Sequence, residues 1–343
     1  MNKKNQIIII ALVVVAIIVG AVVFKKSGKT IETSKWPERS INNYVPWAAG
    51  GGTDVWNRVL SAEMEGTLGQ KVIVSNVVGG TGAVGTDLVM KAAHDGYRIL
   101  GTSETNLTIP IMTGTKTTVK DWHYFIAAGS PGVICVNSAS PYKTIEELLA
   151  ATKKEPGKIK VSITGSGLWF IQAEILKTKG GMDLGYSPYD GSRPAILAAV
   201  SKETTAVVAS AGEVNEFVKA GTLRPLAVMQ TEAFEFPSAG KLPAITDTLP
   251  GLKEVLPLDQ FIGFSLPSDT PQAIVDKYTD AFNKAMKSDT VKRMANEQLS
   301  VLYGLSGKEA DDMAAKMQSK MSYLLKDMGL AKFDPKDMGI PQP

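Results

Sequence analysis

Cysteine and histidine are scarce in this chain of 343 residues, which has one cysteine, Cys135, and two histidines, His94 and His123. No disulfide can form within the chain, and so few thiol and imidazole groups argue against a metal site. A serine or cysteine hydrolase needs a nucleophile beside a base, and no Gly-x-Ser-x-Gly motif is present. Because Cys135 lies in an apolar run, we expect it to be a small buried residue of a strand.

Clustered positive charge is missing from most of the chain. Six lysines and one glutamate precede Trp36, so the residues from there onward carry 31 basic and 33 acidic side chains. Nucleic-acid binding depends on lysines and arginines grouped on one surface, and we therefore expect no nucleic-acid partner. The hydrophobic content of 44% and the charged content of 21% are typical of a globular protein, and the length suits two lobes.

A long uncharged segment, residues 7–24, stands between two pairs of lysines. It is longer than a secretory signal core of about 7–15 residues and matches the roughly 17–25 residues of a membrane-spanning helix. We expect it to be a retained membrane anchor, although the small residues 19–21 offer a site for signal cleavage. The body is then expected outside the cytoplasm, in the periplasm or on the outer face of the cell membrane. Residues 1–35 would serve as anchor or signal and as spacer.

Past residue 36, short apolar runs alternate with segments that carry helix signals. This alternation predicts an α/β fold with parallel sheets covered by helices on both faces. Ligands of such sheets bind beyond the carboxyl ends of the strands. The predicted strands are residues 41–45, 72–75, 98–102, 132–136, 159–163, 184–188, 206–210, 226–229 and 261–266.

Local signals predict where several helices begin and end. Thr144 and Ser306 each open a capping box, with a glutamate three residues later. Thr270 stands before a proline that suits the first helical position. Gly329 is placed to end the last helix.

The loop after the first predicted strand has three consecutive glycines, which let the backbone approach a ligand without obstruction by a side chain. We expect Thr53 or Asp54 to cap the following helix, whose free N–H groups and dipole make an anion site. The loop lacks the Gly-Lys-Ser/Thr ending of a nucleotide P-loop. A flexible turn with a cap explains the spacing equally well. The candidate binding residues here are Trp47, Gly51, Gly52, Thr53 and Asp54.

The loop after the second predicted strand matches G-x-G-x-x-G at residues 80–85, with Glu104 downstream. This pattern opens the alternative of a dinucleotide-dependent oxidoreductase. The fingerprint belongs on the first strand of its unit, however, and nicotinamide cofactors are scarce outside the cytoplasm. We therefore interpret the loop as a tight turn that walls a pocket, and we expect no cofactor. Thr81 in this loop and Ser103 after the third strand are candidate binding residues.

Two later loops also leave predicted strands. Residues 164–167 supply hydroxyl and amide groups for a second polar group of a ligand, and Trp169 supplies either an apolar wall or core packing. A further loop precedes Arg193, which would suit a carboxylate if it pointed inward. We find no nucleophile with a base and no paired carboxylates of a glycosidase type, so we expect no catalysis. The candidate binding residues of these loops are Thr164, Gly165, Ser166, Gly167, Trp169, Tyr189 and Asp190.

Six motifs occur in order along the chain: VPWAAGGGTD at 45–54, LGQKVIV at 68–74, DGYRIL at 95–100, PGK at 156–158, YSPYDG at 186–191 and GTLRPLAV at 221–228. Together they resemble the substrate-binding proteins of tripartite tricarboxylate transporters, the Bug-type receptors. The similarity extends from residue 36 to residue 329.

The resemblance implies a two-lobed fold like that of type II periplasmic binding proteins. Residues 36–132 and 266–343 would form lobe 1, and residues 133–265 lobe 2. It also implies a monomeric binding protein, not an enzyme. Such a protein holds a small carboxylate by loops 50–54 and 164–168, partly through waters, and meets a membrane permease driven by an ion gradient.

The sequence departs from the family pattern in its anchor and in two loops. Residues 75–79 replace a Glu-Asn-Arg-Pro-Gly stretch, and Leu168 and Ile171 replace a serine and a histidine. The less polar loops favour a ligand with one carboxylate and an apolar or aromatic body. The alternatives are a receptor of an ATP-driven importer, a ligand-sensing ectodomain and the oxidoreductase. The six residues before the anchor leave no room for the output domain of a sensor.

Overall fold

The computed structural model describes residues 33–343, and the predicted anchor at residues 7–24 lies outside them. Within the described range, no helix is both long enough and apolar enough to cross a membrane. Residues 37–343 form one compact unit built on two large sheets. Each sheet with its covering helices is called a lobe below.

The strands of the described residues include each of the nine that the sequence predicts, with ends that differ by up to three residues. They are β1 (Ile41–Val45), β2 (Val72–Asn76), β3 (Arg98–Ser103), β4 (Trp122–Gly129), β5 (Gly132–Asn137), β6 (Lys160–Thr164), β7 (Gly185–Tyr189), β8 (Ala206–Ser210), β9 (Leu223–Val228), β10 (Phe234–Phe236), β11 (Gly240–Leu242), β12 (Ile262–Pro267) and β13 (Val301–Ser306).

Helices follow most of these strands, as the alternation of signals predicts. They are α1 (Gly52–Leu68), α2 (Ala83–Met90), α3 (Ile109–Thr113), α4 (Ile145–Lys154), α5 (Leu168–Thr178), α6 (Ser192–Val200), α7 (Ala211–Lys219), α8 (Ile245–Thr248), α9 (Gln272–Ala285), α10 (Asp289–Glu297) and α11 (Lys308–Asp327). Short 3-10 turns occupy Gly80–Gly82, Glu104–Thr108, Val119–Asp121 and Pro250–Glu254.

The first sheet has six strands in the order β13-β4-β12-β3-β1-β2. β1 runs parallel to β2 and β3, whereas β12 is antiparallel to β3 and β4, and β13 is antiparallel to β4. One face is covered by aromatic packing, in which Phe125 and Phe264 stack with ring centroids 4.6 Å apart and the edge of Phe282 from α9 meets both. Such packing buries large apolar areas and fixes α9 against the sheet.

The second sheet has five strands in the order β7-β6-β8-β5-β9. β6 is parallel to β7 and β8, but β5 is antiparallel to β8 and β9. The prediction of parallel sheets is therefore only partly right, and both sheets are mixed. The antiparallel strands β5 and β12 enter their sheets from the other lobe instead of through a strand-helix-strand crossover, so nothing forces them to run parallel.

The chain crosses between the lobes twice, after β4 and before β12. The two crossing segments touch: a Cβ on Gly129 would stand 1.8 Å from the carbonyl oxygen of Gln260, and the amide of Ser130 donates to the side chain of Gln260 at 3.2 Å. Only glycine permits this approach of two backbones. The crossings form the joint between the lobes.

Helix α11 belongs to both lobes. Ala310 and Ala314 in its first half pack with core residues under the first sheet, such as Ile126. Met321 and Leu325 in its second half belong to a hydrophobic cluster that also contains Ile134 of the second sheet. The helix therefore links the two cores.

The predicted helix boundaries have mixed outcomes. Thr144 caps α4, because its hydroxyl accepts the amide of Glu147 at 3.3 Å, and Gly329 follows the end of α11 with a φ of 73°. The capping box at Ser306 is wrong, since Ser306 ends β13 and α11 begins after Gly307. Thr270 does not cap α9 either, because the helix begins at Gln272 with Pro271 in the cap position.

Candidate functional site

The glycine loop of residues 46–51 joins β1 to the N-terminus of α1, at the carboxyl end of a central strand of the first sheet. The N-cap residue is Gly51, and no side chain caps the helix there. The prediction that Thr53 or Asp54 is the cap is wrong, because both lie within the first turn. Asp54 reaches back instead, and its carboxylate accepts the amide of Gly50 at 2.9 Å.

Asp54 holds the loop through hydrogen bonds to its buried carboxylate. Its carboxylate accepts two N–H groups of Arg58, at 2.8 and 3.1 Å, and the side-chain amide of Asn76 at 2.9 Å. Burial alone would raise the pKa of Asp54, but the hydrogen bonds from Arg58, Gly50 and Asn76 outweigh it and hold the pKa below its usual range. Asn76 also donates to the carbonyl of Trp47 at 2.9 Å. Asp54 thus fixes the backbone of the glycine loop through Gly50 and, by way of Asn76, through Trp47.

Replacing Asp54 with alanine is expected to lower the free energy of unfolding by about 1–2 kcal/mol, because Gly50, Arg58 and Asn76, which are exposed or half-buried, lose their shared acceptor. The loss is measured by urea unfolding at pH 7. Asp87→Ala is the matched control, since Asp87 pairs with Lys91 on a helix surface where its side chain is 38% exposed. That control is expected to change stability by less than about 0.5 kcal/mol. Equal stabilities of the two variants would contradict the role of the network.

The second lobe faces this loop with the first turns of α5, α6 and α7. Glu213 in α7 reaches across, and its Oε1 accepts the amide of Gly52 at 2.6 Å. Its Oε2 accepts the hydroxyl of Ser210 at 2.7 Å, while the Ser210 hydroxyl accepts the amide of Glu213 at 3.1 Å. One of the α1 amides in the predicted anion site is therefore already bound to a carboxylate of the chain itself.

A cavity lies between these elements, and its free space of about 20 Å³ holds a water molecule or two. The lobes are thus closed on each other, and a solute enters only when they separate. The lining residues are Trp47, Ala48, Gly51, Gly52, Thr53, Ser103, Glu104, Thr105, Thr164, Trp169, Gly191, Ser192, Glu213 and Gln260. Seven of the sequence-predicted residues stand among them: Trp47, Gly51, Gly52, Thr53, Ser103, Thr164 and Trp169.

Four further predicted residues, Thr81, Gly165, Ser166 and Gly167, are not among the lining residues of the cavity. Thr81 is close to Gly165 across the cleft, with its Cγ2 3.7 Å from the position of a Cβ there. The Ser166 carbonyl accepts the hydroxyl of Thr164 at 2.8 Å. Gly167 lies against Thr105 of the first lobe.

Tyr189 and Asp190 do not join the lining. The hydroxyl of Tyr189 donates to Glu203 at 2.8 Å, and its ring packs on the core of the second lobe. Asp190 is exposed, and only its backbone carbonyl takes part in the closed interface, by accepting the amide of Ala48 at 3.3 Å.

Arg193 does not face the cavity. It forms an ion pair with Glu216, and its guanidinium lies 4.9 Å from the ring centroid of Phe217. With Glu216 and Lys219 it lines a neighbouring groove, which shares Gly52 and Glu213 with the cavity. The carboxylate partner of Arg193 is therefore within the chain.

Sequence reasoning missed two acidic residues of the lining. Glu104 directly follows β3 and is 1% exposed, and Glu213 is 8% exposed. Burial raises the pKa of Glu104 to about 8, and the charge of Glu213 adds to the rise. A strand-end position marks Glu104 in the sequence, and the capping box of Ser210 marks Glu213, but neither signal shows that the two share a cavity.

The glycines of the G-x-G-x-x-G stretch are explained by packing against the first loop. A Cβ on Gly82 would stand 2.9 Å from the ring of Trp47, and one on Gly85 would stand 2.9 Å from the Pro46 side chain and the Val77 carbonyl. This close approach requires glycine without any bound cofactor. The loop is a wall behind Trp47.

Comparison with known proteins matches residues 56–330 to the family described as "Tripartite tricarboxylate transporter family receptor". The UPF0065 protein in the tcbD-tcbE intergenic region of a Pseudomonas species is 30% identical over 263 residues, which cover 75% of this chain and 76% of that protein. The solved periplasmic binding protein BugD is similar in fold, with a TM-score of 0.76, 24% identity and coverage of 86% of this chain and 99% of that one. R. palustris Rpa4515 with adipate gives a TM-score of 0.78 at 21% identity, with the same two coverages.

Proposed function

This chain belongs to the tripartite tricarboxylate transporter receptor family, and we propose that it captures a small organic carboxylate outside the cytoplasm and delivers it to a membrane permease. The family consists of substrate receptors, and the two-lobed fold agrees with that role. The adipate of the R. palustris protein is a carboxylate as well. The solute acts by bridging the lobes, because only a solute that contacts both has a higher affinity for the closed state.

The observation that carries the proposal is a buried donor in the cavity wall. Trp47 lines the cavity, and its indole N–H is buried without a hydrogen-bond partner among the described residues. An indole nitrogen only donates, and a buried donor left unpaired costs about 1–3 kcal/mol. A carboxylate oxygen of a solute would satisfy it. The amides and hydroxyls of Thr53 and Thr164 line the same space.

The proposal extends to parts of the chain beyond the cavity. Residues 7–24 would tether the protein as an uncleaved helix, with residues 1–35 as anchor and spacer. The body would act as a monomer, with residues 36–132 and 266–343 as lobe 1 and residues 133–265 as lobe 2. Sheet membership supports the first boundary, since β1 to β4 lie in the first sheet and β5 to β9 in the second, whereas β12 of the first sheet begins at Ile262, four residues before the second boundary. Mass spectrometry of the membrane fraction tests whether the segment is retained.

Isothermal titration of the body with a panel of acids tests the binding function. The panel contains aromatic monocarboxylates beside succinate and citrate, and nicotinamide dinucleotides as the contrast. We expect one-site binding of at least one monocarboxylate, and at least tenfold weaker binding by Trp47→Phe, which keeps an aromatic wall but lacks the N–H. Binding of a dinucleotide alone would overturn the proposal, and binding of citrate alone would exclude the monocarboxylate preference.

A further inference from the structure

The cavity wall carries acid groups from both lobes. Glu104 comes from the first lobe and Glu213 from the second, and both are more than nine-tenths buried. Among the described residues that line the cavity there is no lysine, arginine or histidine. Burial keeps a proton on Glu104 up to about pH 8, and a solute with two or three carboxylates would meet no cation in this wall with which to pair.

Two arginines near these acids have partners elsewhere, while Lys219 stands in the neighbouring groove that Glu213 also lines. Arg58 donates to Asp54 and Asn76 behind the glycine loop. Arg193 pairs with Glu216 and lies over Phe217 in the neighbouring groove. Neither arginine lines the cavity.

Opening of the lobes leaves Glu213 short of a donor. In the closed state its two oxygens accept from Gly52 across the cleft and from Ser210 within its own helix. Separation of the lobes breaks the contact with Gly52 but not the one with Ser210. The closed cavity holds only a water molecule or two, so a larger solute that keeps Gly52 and Glu213 apart must itself donate to Glu213.

Glu104 presents a second acceptor to the same space. Its Oε1 accepts the hydroxyl of Thr105 and its Oε2 accepts the amide of Phe261, each at 3.0 Å. A carboxylate has about four lone-pair positions, so each oxygen can accept once more. Burial keeps a proton on Glu104 in the empty cavity up to about pH 8, and a cation beside this group would lower its pKa and favour the carboxylate.

We propose that the solute carries a protonated amine that binds between Glu104 and Glu213, together with a single carboxylate that meets Trp47. The receptor therefore selects a small amino-acid-like zwitterion over dicarboxylates and tricarboxylates. The inference rests on the proposed function and names the substrate class of the same cavity.

The test compares solutes that differ only in the amine. The probes for isothermal titration at pH 7 are L-phenylalanine with 3-phenylpropionate, and 4-aminobutyrate with butyrate, beside succinate and citrate. We expect the amine-bearing member of at least one pair to bind about 10- to 100-fold more tightly than its partner, the range of a hydrogen bond to a charged group. Tighter binding of the amine-free acids, of succinate or of citrate would overturn the inference and leave the proposed function standing. No binding by any probe would overturn both.

The variant Glu213→Gln tests whether Glu213 causes the tighter binding of the amine-bearing solute. Glutamine preserves the capping box, so α7 is expected to keep its start. The variant should lose at least tenfold of its affinity for the amine-bearing probe and keep its affinity for the amine-free partner. Glu216→Gln, about one turn further from the helix start and outside the cavity, is the matched control and should bind both as the wild type does. Unchanged amine affinity in Glu213→Gln would overturn the inference.

Discussion

Replacement of Gly167 with alanine is expected to weaken solute binding about 100-fold while the fold is retained. A Cβ on Gly167 would stand 2.0 Å from Cγ2 of Thr105, in the opposite lobe. Thr105 is branched at Cβ and its hydroxyl is committed to Glu104, so it cannot turn away freely. Overpacking of this kind costs about 1–3 kcal/mol, and it acts only when the lobes close. Titration with the tightest-binding acid of the panel measures the loss, and small-angle scattering shows whether the lobes stay apart.

Gly181→Ala is the control for this experiment. Gly181 also lies in the second lobe and has a φ of 67°, close to the 79° of Gly167, but a Cβ there would meet nothing within 4 Å. Both variants share the backbone strain of a left-handed alanine, and only Gly167→Ala adds the clash between the lobes. Equal affinities of the two variants would show that solute binding does not depend on this closed contact.

The free energy of unfolding is expected to decrease as the pH rises from 4.5 to about 8, with Glu104 as a main cause. Burial first, and then the charge of Glu213, raise the pKa of Glu104 from 4.5 to about 8. The folded state therefore keeps a proton that the unfolded state has lost over this range, so stability falls by about 1.4 kcal/mol per pH unit. The contribution of Glu104 is complete below pH 4.5 and lost above about pH 8. Urea unfolding at half-unit intervals of pH measures the slope.

Glu104→Gln is expected to remove this part of the pH dependence and to be the more stable protein at pH 8, by several kcal/mol. Glutamine keeps the shape and remains neutral, and its oxygen can still accept the amide of Phe261. Burial also raises the pKa of Glu174 and Asp311, so the difference between the two proteins is the relevant quantity. Glu235→Gln, at an exposed position of β10, should leave the slope unchanged. Parallel stability curves for the wild type and Glu104→Gln would refute the assignment.

The strands that the sequence predicts correctly are those bounded by turn residues or helix signals. β4 is missed because only Ser130 and Pro131 separate it from β5, so the apolar run continues into the next strand. β13 is missed because Gly304, with a φ of 61°, interrupts its apolar residues and most of the strand is half-buried at the sheet edge. Periodicity finds strands with regular burial and fails where bulges and edges change it.

Some features of the candidate site follow from local sequence, whereas others depend on residues far apart in the chain. The glycine loop and the loop at Thr164 could be predicted, because strand ends and helix starts are local features. The partner of Gly52 could not, since Glu213 is 161 positions away and meets it only through closure of the lobes. The predicted anion site at α1 also required free backbone amides, but the amide of Gly52 donates to Glu213 in the closed protein. The side chains of Arg193 and Tyr189 point away from the cavity, and the sequence alone does not reveal the direction of a side chain.

Helix α11 couples the folding stability of the two lobes. Loss of either lobe would strip apolar partners from half of one continuous helix, and a helix in water has little stability without them. Unfolding of one lobe is therefore expected to destabilise the other through this helix, although the lobes are otherwise joined only at the crossing segments. We expect both lobes to unfold in one cooperative transition, even though they separate to admit a solute.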